Sequence, residues 1–394
     1  MTWDRDVVIV GGCGHVGLPL GLAFADRGLT VDLYDIDADA VDAVNAGILP
    51  AHEEGAQEVL DRVIGDRMVA TADPEAVSRA EHVVIVIGTP VGRLLNPLPD
   101  MVPRAIAQLA PLFRPGQHMV LRSTVYPGVT RAVERLLGET DIDISFCPER
   151  IAEGKAMTEL YELPQIVAAR DPETMARATG LFSTVAASTI ELEPEEAELA
   201  KLFTNVWRYI KFAAANQLYM IANDMDLDFE QIRGAITQDY PRAADMVGPG
   251  FAAGPCLLKD TIQLADSDRR NFALGQASVV INEQLPNYVV SRLSDRMDLA
   301  TSTVGILGMA FKGESDDIRS SLAYKLKRAL TFSGAQVLCH DPYVPDDPEL
   351  EDIEKVLDQS DVLIIGAPHR MYANLDTDLP VADLFNITGR GVQI

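Results

Sequence analysis

The run Val7-Val-Ile-Val10, followed by Gly12-Cys-Gly-His-Val-Gly17, decides the fold of the first half of this 394-residue chain. Apolar, β-branched runs of this length are typical of buried parallel strands. A helical pattern follows the glycines, and a second strand-like run, Val31-Asp-Leu-Tyr34, ends at Asp35. Strand, glycine turn, helix, strand and acid in this order form the dinucleotide-binding fingerprint. We therefore predict that the chain begins with a Rossmann-type α/β domain.

Each part of this fingerprint has a physical role. Gly12 permits the tight turn, Gly14 lets a pyrophosphate approach the backbone, and Gly17 allows close packing of helix on strand. The N-terminus of the helix stabilises the phosphates. Asp35 has no Arg directly after it, which favours NAD over NADP, and Asp37 could share or compete for the ribose.

Polar residues follow three further predicted strands, which cover residues 83–87, 118–122 and 142–146. These residues are Thr89, Thr124 and Glu149. Doubly wound sheets bind ligands at the carboxyl ends of their strands. We therefore expect the three side chains to face one crevice, although each taken alone also fits a helix cap or a turn.

The chain changes character at Pro194. From there to about Met225 it is rich in Ala, Leu and Phe, and it predicts one helix of roughly thirty residues. A helix of this length usually spans domains or builds a dimer interface. Lys201 and Asn205 are four residues apart and share a face of it, which favours a ligand. A lysine that extends to the surface is the alternative.

The stretch Gly250-Phe-Ala-Ala-Gly-Pro-Cys-Leu-Leu-Lys-Asp260 places a cysteine, a lysine and an aspartate within five residues. The small residues before them leave room for a ligand close to the backbone. Cys256 could act as a nucleophile, with Asp260 near enough to manage a proton or a water. A glycine-rich loop with a buried structural cysteine is the alternative.

Strand and helix patterns return after a second long predicted helix over residues 272–297. The run Val304-Gly-Ile-Leu-Gly-Met-Ala-Phe-Lys312 begins like another Rossmann strand and turn. The order α/β, helical, α/β predicts three domains, over residues 1–193, 194–299 and 300–394.

Composition excludes several classes of protein. A net charge of −26 argues against non-specific binding to nucleic acid or to an anionic membrane surface. The four cysteines form no CxxC pair, so the sequence predicts neither a zinc site nor a disulfide framework. We expect no signal peptide and no apolar run of the ~20 residues that span a bilayer. These features favour a cytoplasmic protein with reduced thiols and no metal.

Six motifs occur in one order along the chain. They are Gly12-x-Gly-x-x-Gly-Leu-Pro19, Ser123-Thr-Val125, Pro148-Glu149, Lys201-Leu-Phe-Thr-Asn205, Gly254-Pro-Cys-Leu-Leu-Lys-Asp260 and Gly308-Met-Ala-Phe-Lys-Gly-Glu-Ser-Asp-Asp-Ile-Arg-Ser320. Together they span essentially the whole chain. The set resembles the nucleotide-sugar 6-dehydrogenase family, which includes the UDP-glucose and UDP-N-acetylmannosamine dehydrogenases.

The resemblance implies a four-electron oxidation of a sugar C6 alcohol to a carboxylate with two NAD. Cys256 would attack the intermediate aldehyde to give a thiohemiacetal, and a second oxidation would give a thioester that water hydrolyses. Lys201 and Asn205 would form an oxyanion site. Asp260, with Thr124, would position or deprotonate the water.

The same resemblance implies that Glu149 is the base or water-holder for hydrolysis, and it implies two sets of binding residues. The set for NAD is Gly12, Gly14, His15, Val16, Gly17, Asp35, Thr89, Thr124 and Arg319. The set for the UDP-sugar is Glu149, Arg150, Lys201, Asn205, Arg242, Gly254 and Lys312. The C-terminal domain would hold UDP. In a homodimer built around the long helix, Arg242 would reach the partner's site.

The identity of the sugar depends on branch-specific motifs. Pro148-Glu-Arg-Ile151, Asn205-Val-Trp-Arg208 and Asn282-Glu-Gln-Leu-Pro-Asn287 resemble the N-acetylhexosamine branch, whereas Cys256-Leu-Leu-Lys-Asp260 resembles the glucose branch. Ala253 stands where the family usually has the first Gly of a pair. We favour UDP-N-acetylmannosamine or UDP-N-acetylglucosamine, with UDP-glucose as the alternative. A two-electron β-hydroxyacid dehydrogenase is a less favoured interpretation, as is a non-catalytic nucleotide-sugar sensor.

Overall fold

A computed structural model describes residues 3–51, 53–92, 96–138, 140–252, 254–268, 271–392 and 394. The chain folds as two compact units, Met1–Thr204 and Asn205–Ile394. Across the described residues, no helix is both long and apolar enough to cross a membrane.

A large sheet forms the centre of the first unit. Strands β1 to β8 are Arg5–Val10, Val31–Tyr34, Met68–Thr71, Ala80–Ile85, Gln117–Leu121, Ile142–Phe146, Gln165–Ala169 and Thr189–Leu192. Their spatial order is β3-β2-β1-β4-β5-β6-β7-β8, and the neighbours are parallel except for the antiparallel pair β6–β7. An order that begins 3-2-1-4-5-6 is that of the Rossmann fold. The predicted N-terminal Rossmann domain is confirmed.

Helices cover both faces of this sheet, which is why its strands are nearly continuous apolar runs. Helices α1 to α7 are Gly17–Asp26, Ala38–Asn45, Ala56–Val63, Met101–Leu109, Val129–Leu136, Ala156–Glu162 and Pro172–Phe182, with short 3-10 helices at Pro74–Arg79 and Ala110–Leu112. Val7 and Ile9 pack in the core with α1, α3 and α7. Val8 and Val10 lie in the opposite core, with α4 and α5.

The long predicted helix is α8, which runs over Pro194–Asp224 for 31 residues. Three helices follow it in the second unit: α9 at Phe229–Thr237, α10 at Leu257–Ser267 and α11 at Ala273–Ser294. The interpretation of residues 250–260 as one loop is wrong at its end, because α10 begins at Leu257 and includes Asp260. Leu257, Thr261 and Leu264 give this helix a buried face, and helical spacing of this kind stabilises it by packing.

A smaller parallel sheet completes the second unit. Strands β9 to β12 are Thr303–Leu307, Gln336–His340, Val362–Ile365 and Val381–Ala382, in the spatial order β10-β9-β11-β12. Helices α12 and α13 are Leu322–Phe332 and Ile353–Gln359, with 3-10 helices at Leu299–Thr301 and Arg370–Asn374. This confirms the predicted C-terminal Rossmann-like region after a helical middle.

Candidate active site

The glycine turn after β1 brings the start of α1 into contact with the sheet. A Cβ on Gly12 would lie 2.8 Å from Leu33 Cα, and one on Gly17 would lie 2.4 Å from Gly11 O. Side chains at these positions would therefore separate α1 from β1 and β2. At Gly14 the nearest such atom is Gly11 O at 3.8 Å, so the backbone there has the open space that a pyrophosphate needs.

Asp35 lies beside this turn, at the carboxyl end of β2. Its carboxylate accepts a hydrogen bond from the Cys13 N–H at 3.0 Å. Asp37, the second acid considered for the ribose, instead caps α2 by accepting from the N–H groups of Asp39 and Ala40, at 3.1 Å each. The geometry therefore favours Asp35 over Asp37 as the acid that binds the ribose of a dinucleotide. His15 Nδ1 lies 2.8 Å from Glu153 Oε1.

Two of the predicted strand-end residues are joined directly. Thr89 Oγ1 donates to the backbone oxygen of Thr124 at 2.6 Å. Ser123 Oγ accepts from the Ile87 N–H at 2.8 Å. The ends of β4 and β5 are thus brought together at the same edge of the sheet, as the strand order requires.

Glu149 is held by a buried arginine that the sequence analysis missed. Arg122 donates to Glu149 Oε2, to Gln165 Oε1 at 3.0 Å and to the Cys147 backbone oxygen at 3.2 Å. Its side chain is fully buried, and a buried charge requires partners of this kind. A charged residue at the end of an apolar strand was the available signal. Arg122 therefore fixes the orientation of the Glu149 carboxylate.

Backbone groups hold the other oxygen of Glu149. Oε1 accepts from the N–H groups of Arg150 at 2.6 Å and Ile151 at 2.8 Å. The Arg150 guanidinium donates to the Pro164 backbone oxygen, and its burial lowers its pKa. Val16 precedes α1 as its N-cap residue.

Asn205 and Asp260 form a buried pair in the second unit. Asn205 Nδ2 donates to Asp260 Oδ2 at 2.6 Å, and Lys259 Nζ lies 2.9 Å from Asp260 Oδ1. Cys256 is the N-cap residue of α10, and its backbone oxygen accepts from the Asp260 N–H at 2.9 Å. Three predicted residues of the second unit are thus brought together. Cys256 and Asp260 lie at the first turn of α10, and Asn205 of α8 contacts Asp260.

Lys201 precedes Asn205 by one turn of α8, in the part of the helix that belongs to the first unit. The residue is only 8% exposed. A lysine that simply extends to the surface would be more exposed, so the burial favours the interpretation of Lys201 as a ligand-binding residue.

Cys256 differs from the other three cysteines. It is exposed, whereas Cys13, Cys147 and Cys339 are buried. Burial raises the pKa of Cys13 to about 12, of Cys147 to about 11 and of Cys339 to about 12. Thiols with such pKa values are poor nucleophiles. The alternative interpretation of Cys256 as a buried structural cysteine is wrong.

Buried asparagines anchor the segment that leads to Cys256, and the sequence analysis missed this role. Asn216 pairs with both backbone groups of Gly250, accepting from N–H at 2.9 Å and donating to the oxygen at 3.1 Å. Asn216 also donates to Asn282 Oδ1 at 2.9 Å, and Asn282 donates to the Tyr209 backbone oxygen at 3.1 Å. Amides within otherwise apolar helices were the available signal.

A phenylalanine covers the next part of the segment. Gly254 has φ of +99°, and a Cβ there would lie 2.6 Å from Phe311 Cδ2. Only glycine combines that backbone conformation with such a close ring. The departure noted at Ala253 lies outside the described residues.

The predicted basic residues have separate surroundings. Lys312 Nζ lies 5.5 Å from the centroid of the Phe311 ring. Arg319 is held by Asp317, with Nε–Oδ1 and Nη2–Oδ2 distances of 2.9 and 2.6 Å. Arg242 is exposed and donates to Tyr240 Oη at 3.0 Å. Within the described ranges, no group of three His, Cys, Asp or Glu residues could hold a metal ion.

Comparison with known families accounts for nearly all of this architecture. Three domain models of one family match in sequence, all from the UDP-glucose/GDP-mannose dehydrogenase family. Its NAD binding domain matches residues 6–186, its central domain residues 195–284, and its UDP binding domain residues 305–389.

Individual relatives show full-length similarity. UDP-N-acetyl-D-mannosamine dehydrogenase of Pyrococcus horikoshii is 27% identical, covering 94% of this chain and 91% of its own. UDP-glucose 6-dehydrogenase AglM of Haloferax volcanii is 29% identical, covering 93% and 92%. The solved UDP-glucose dehydrogenase of Pyrobaculum islandicum superimposes with a TM-score of 0.87 at 28% identity, covering 96% and 94%. The chain therefore belongs to the UDP-glucose/GDP-mannose dehydrogenase family and is an oxidoreductase that uses NAD.

Proposed function

We propose that this protein oxidises the C6 alcohol of a UDP-N-acetylhexosamine to a carboxylate in two successive two-electron steps. The supporting observation is the exposed Cys256 thiol at the start of α10, one turn before an aspartate that Asn205 holds in the interior. We also propose that the chain divides into three domains, over residues 1–193, 194–299 and 300–394.

The chemistry balances around Cys256. Two NAD molecules, bound one after the other in the first unit, would each take up one hydride and so supply the oxidant for the two steps. The first oxidation gives an aldehyde, whose carbon forms a bond to Sγ as a thiohemiacetal, and the second converts that adduct to a thioester. Water then adds to the carbonyl carbon and the C–S bond breaks, which releases the carboxylate and restores the thiol. The N-terminus of α10 favours negative charge on the sulfur.

The remaining residues keep their predicted roles in this proposal. Lys201 and Asn205 stabilise the oxyanion, where one donor is typically worth about 3 kcal/mol. Asp260 and Thr124 orient or deprotonate the hydrolytic water, and Glu149 assists as a base or by holding it. The fixed Asn205–Asp260 bond supports a positioned carboxylate, because a preorganised group costs little reorganisation during the reaction.

The choice of sugar rests on motifs and on relatives. Pro148-Glu-Arg-Ile151 and Asn205-Val-Trp-Arg208 follow the N-acetylhexosamine branch, and the Pyrococcus horikoshii relative is named for UDP-N-acetyl-D-mannosamine. The Haloferax volcanii relative is named for UDP-glucose, which keeps that sugar as the second candidate. Arg150, Gly254 and Lys312 are the residues of this chain that we assign to substrate binding.

A product assay tests the function. Purified protein is supplied with UDP-N-acetylmannosamine, UDP-N-acetylglucosamine, UDP-N-acetylgalactosamine or UDP-glucose, each with NAD and with NADP. We expect two NADH for each sugar oxidised, with an N-acetylhexosamine preferred. One NADH for each sugar would indicate a two-electron dehydrogenase, and binding without turnover would indicate a sensor. Cys256→Ser should stall after at most one turnover, and full oxidation by that variant would contradict the thioester route.

We also infer a homodimer that forms along α8. Leu218 and Ile221 follow Trp207 by 11 and 14 residues, about three and four turns of α8, so the three residues share one face of the helix. All three side chains are exposed, Trp207 by 57%. An apolar helix face of this kind indicates an interface. Light scattering should give twice the 42.8 kDa chain mass, and Ile221→Glu should halve that mass.

Arg242 would act in the partner's site of such a dimer. The cytoplasmic location stays a prediction.

A further inference from the structure

A buried aspartate–histidine pair joins three loops of the second sheet. Asp341 follows β10, His369 follows β11, and residues 308–314 follow β9. His369 Nε2 lies 3.0 Å from Asp341 Oδ2, and neither side chain is exposed to solvent. The loop after β9 carries Lys312, which the family resemblance assigns to the UDP-sugar, whereas Asp341 and His369 have no assigned role.

The pair holds both ends of the loop that carries Lys312. Asp341 Oδ2 accepts from the N–H groups of Met309 at 2.6 Å and Ala310 at 2.9 Å, where the loop begins. His369 Nδ1 lies 2.9 Å from the Glu314 nitrogen, where the loop ends. Lys312 therefore lies between two points that are fixed by one hydrogen-bond network.

These bonds define the protonation of the histidine. Nδ1 accepts from the Glu314 N–H, so it carries no proton, and Nε2 carries the proton that is donated to Asp341. A neutral imidazole in this tautomer bridges a carboxylate and a backbone N–H. An imidazole with its proton on Nδ1 could make neither bond, so the loop and the tautomer depend on each other.

Glu314 shows that the loop requires this support. Its φ is +55°, a left-handed conformation that is uncommon outside glycine. Its carboxylate accepts from the Arg370 N–H at 2.8 Å and from Tyr343 Oη at 3.0 Å. The Tyr343 ring stacks on His369 with 4.9 Å between centroids. Strained residues persist where surrounding contacts over-determine them, and they concentrate at ligand clamps.

We propose that Asp341 and His369 are positioning residues that hold the 308–314 loop in the conformation in which Lys312 receives the diphosphate of the nucleotide sugar. This inference rests on the proposed UDP-sugar substrate. The net charge of −26 repels an anionic ligand, so attraction must come from cations fixed locally. A lysine on a rigid loop also loses less conformational freedom on binding than one on a mobile loop.

The test measures UDP binding by full-length protein with isothermal titration calorimetry, and NAD binding on the same samples. His369→Gln keeps an amide near Nε2 for Asp341 but loses the acceptor for Glu314, whereas His369→Asn does the reverse. We expect both to weaken UDP binding by about tenfold or more. NAD affinity should stay within about twofold, because every residue assigned to NAD except Arg319 lies in the first unit, and Arg319 is held by Asp317 rather than by His369.

His340→Gln is the matched control, because His340 ends β10 and its Nδ1 bonds to Tyr372 Oη at 2.8 Å rather than to the 308–314 loop. It should leave UDP affinity within about twofold of wild type. Folded His369 variants that bind UDP like wild type would overturn the proposal. If neither variant folds, Tyr343→Phe decides: it removes only the hydroxyl bonded to Glu314, and unchanged UDP affinity there would also overturn it. A wild-type protein that binds no UDP would instead contradict the proposed function.

Discussion

The Asn205 side-chain amide donates a hydrogen bond to the Asp260 carboxylate, with 2.6 Å between Nδ2 and Oδ2. The bond joins α8 to α10, and both residues are buried. Asp260 is also the residue whose N–H closes the first turn of α10 on the backbone oxygen of Cys256. The Asp260 carboxylate, which we propose acts in hydrolysis, is thus fixed relative to the Cys256 thiol. Helix α10 carries Asp260 and begins directly after Cys256, and the Asn205 amide of α8 holds the carboxylate.

Replacing this carboxylate tests its role in hydrolysis. Asp260→Asn removes the charge and nearly keeps the volume, so the acyl-enzyme should form but hydrolyse slowly. We expect kcat to fall by about 100-fold or more, since acid–base groups contribute roughly 10²–10⁴ in rate. Intact-mass spectrometry should show the acyl group on Cys256. Asp266→Asn, at an exposed position of the same helix, should keep the wild-type kcat. A wild-type rate in Asp260→Asn would exclude Asp260 from hydrolysis.

The exposure of the four cysteines predicts selective alkylation. Iodoacetamide at pH 8 should modify Cys256 in the native protein and inactivate it, with peptide mass spectrometry as the measurement. Cys13, Cys147 and Cys339 should not react, because burial both blocks access and raises their pKa to about 12, 11 and 12. In denaturant all four should react. Alkylation of a buried cysteine at a similar native rate would contradict this prediction.

Local patterns in the sequence were sufficient for most of the secondary structure. The alternating run Ile142-Asp-Ile-Ser-Phe146 predicted β6 at its observed bounds. A proline at the first position and a long absence of glycine and proline predicted α8 to within one residue of its end. The residues that form each of these patterns are close together in the sequence, so a local pattern is enough to predict a strand or a helix.

The contacts that position the site could not be predicted in the same way. Arg122 meets Glu149 from 27 residues away, Asn216 meets Gly250 from 34, and Asp341 meets His369 from 28. A local pattern can show that a polar residue is buried, but it does not show which distant group satisfies it. The start of α10 was missed for a related reason, because its buried face depends on what packs against it.

A single methyl group at Gly254 should test how closely Phe311 packs on the segment before Cys256. Gly254→Ala would place Cβ 2.6 Å from the ring at a φ of +99°, so the segment must shift. We expect a stability loss of about 1–3 kcal/mol, measured by urea unfolding, with a fall in kcat. Gly248→Ala is the control, because a Cβ there meets nothing within 4 Å. Equal effects at the two glycines would contradict the packing argument.

Two buried histidines should make the stability of the protein depend on pH. His82 Nδ1 and His118 Nδ1 are 2.9 Å apart, and His118 Nε2 lies 2.8 Å from Ser145 Oγ. Burial lowers the pKa of His82 below its usual 6.5, and burial with the nearby His82 lowers that of His118 well below it. The unfolded chain, whose histidines keep a pKa near 6.5, therefore binds more protons than the folded chain as pH falls through that value.

The free energy of unfolding should therefore be highest above pH 7 and should fall as pH drops below about 6.5. Each extra proton bound by the unfolded chain contributes up to about 1.4 kcal/mol per pH unit. Urea unfolding at pH 7.5, 6.5 and 5.5 measures this slope. His118→Gln cannot take up that proton and keeps a polar partner for Ser145, so its slope should be shallower than that of wild type. An unchanged slope in His118→Gln would show that other groups, rather than this histidine, control acid stability.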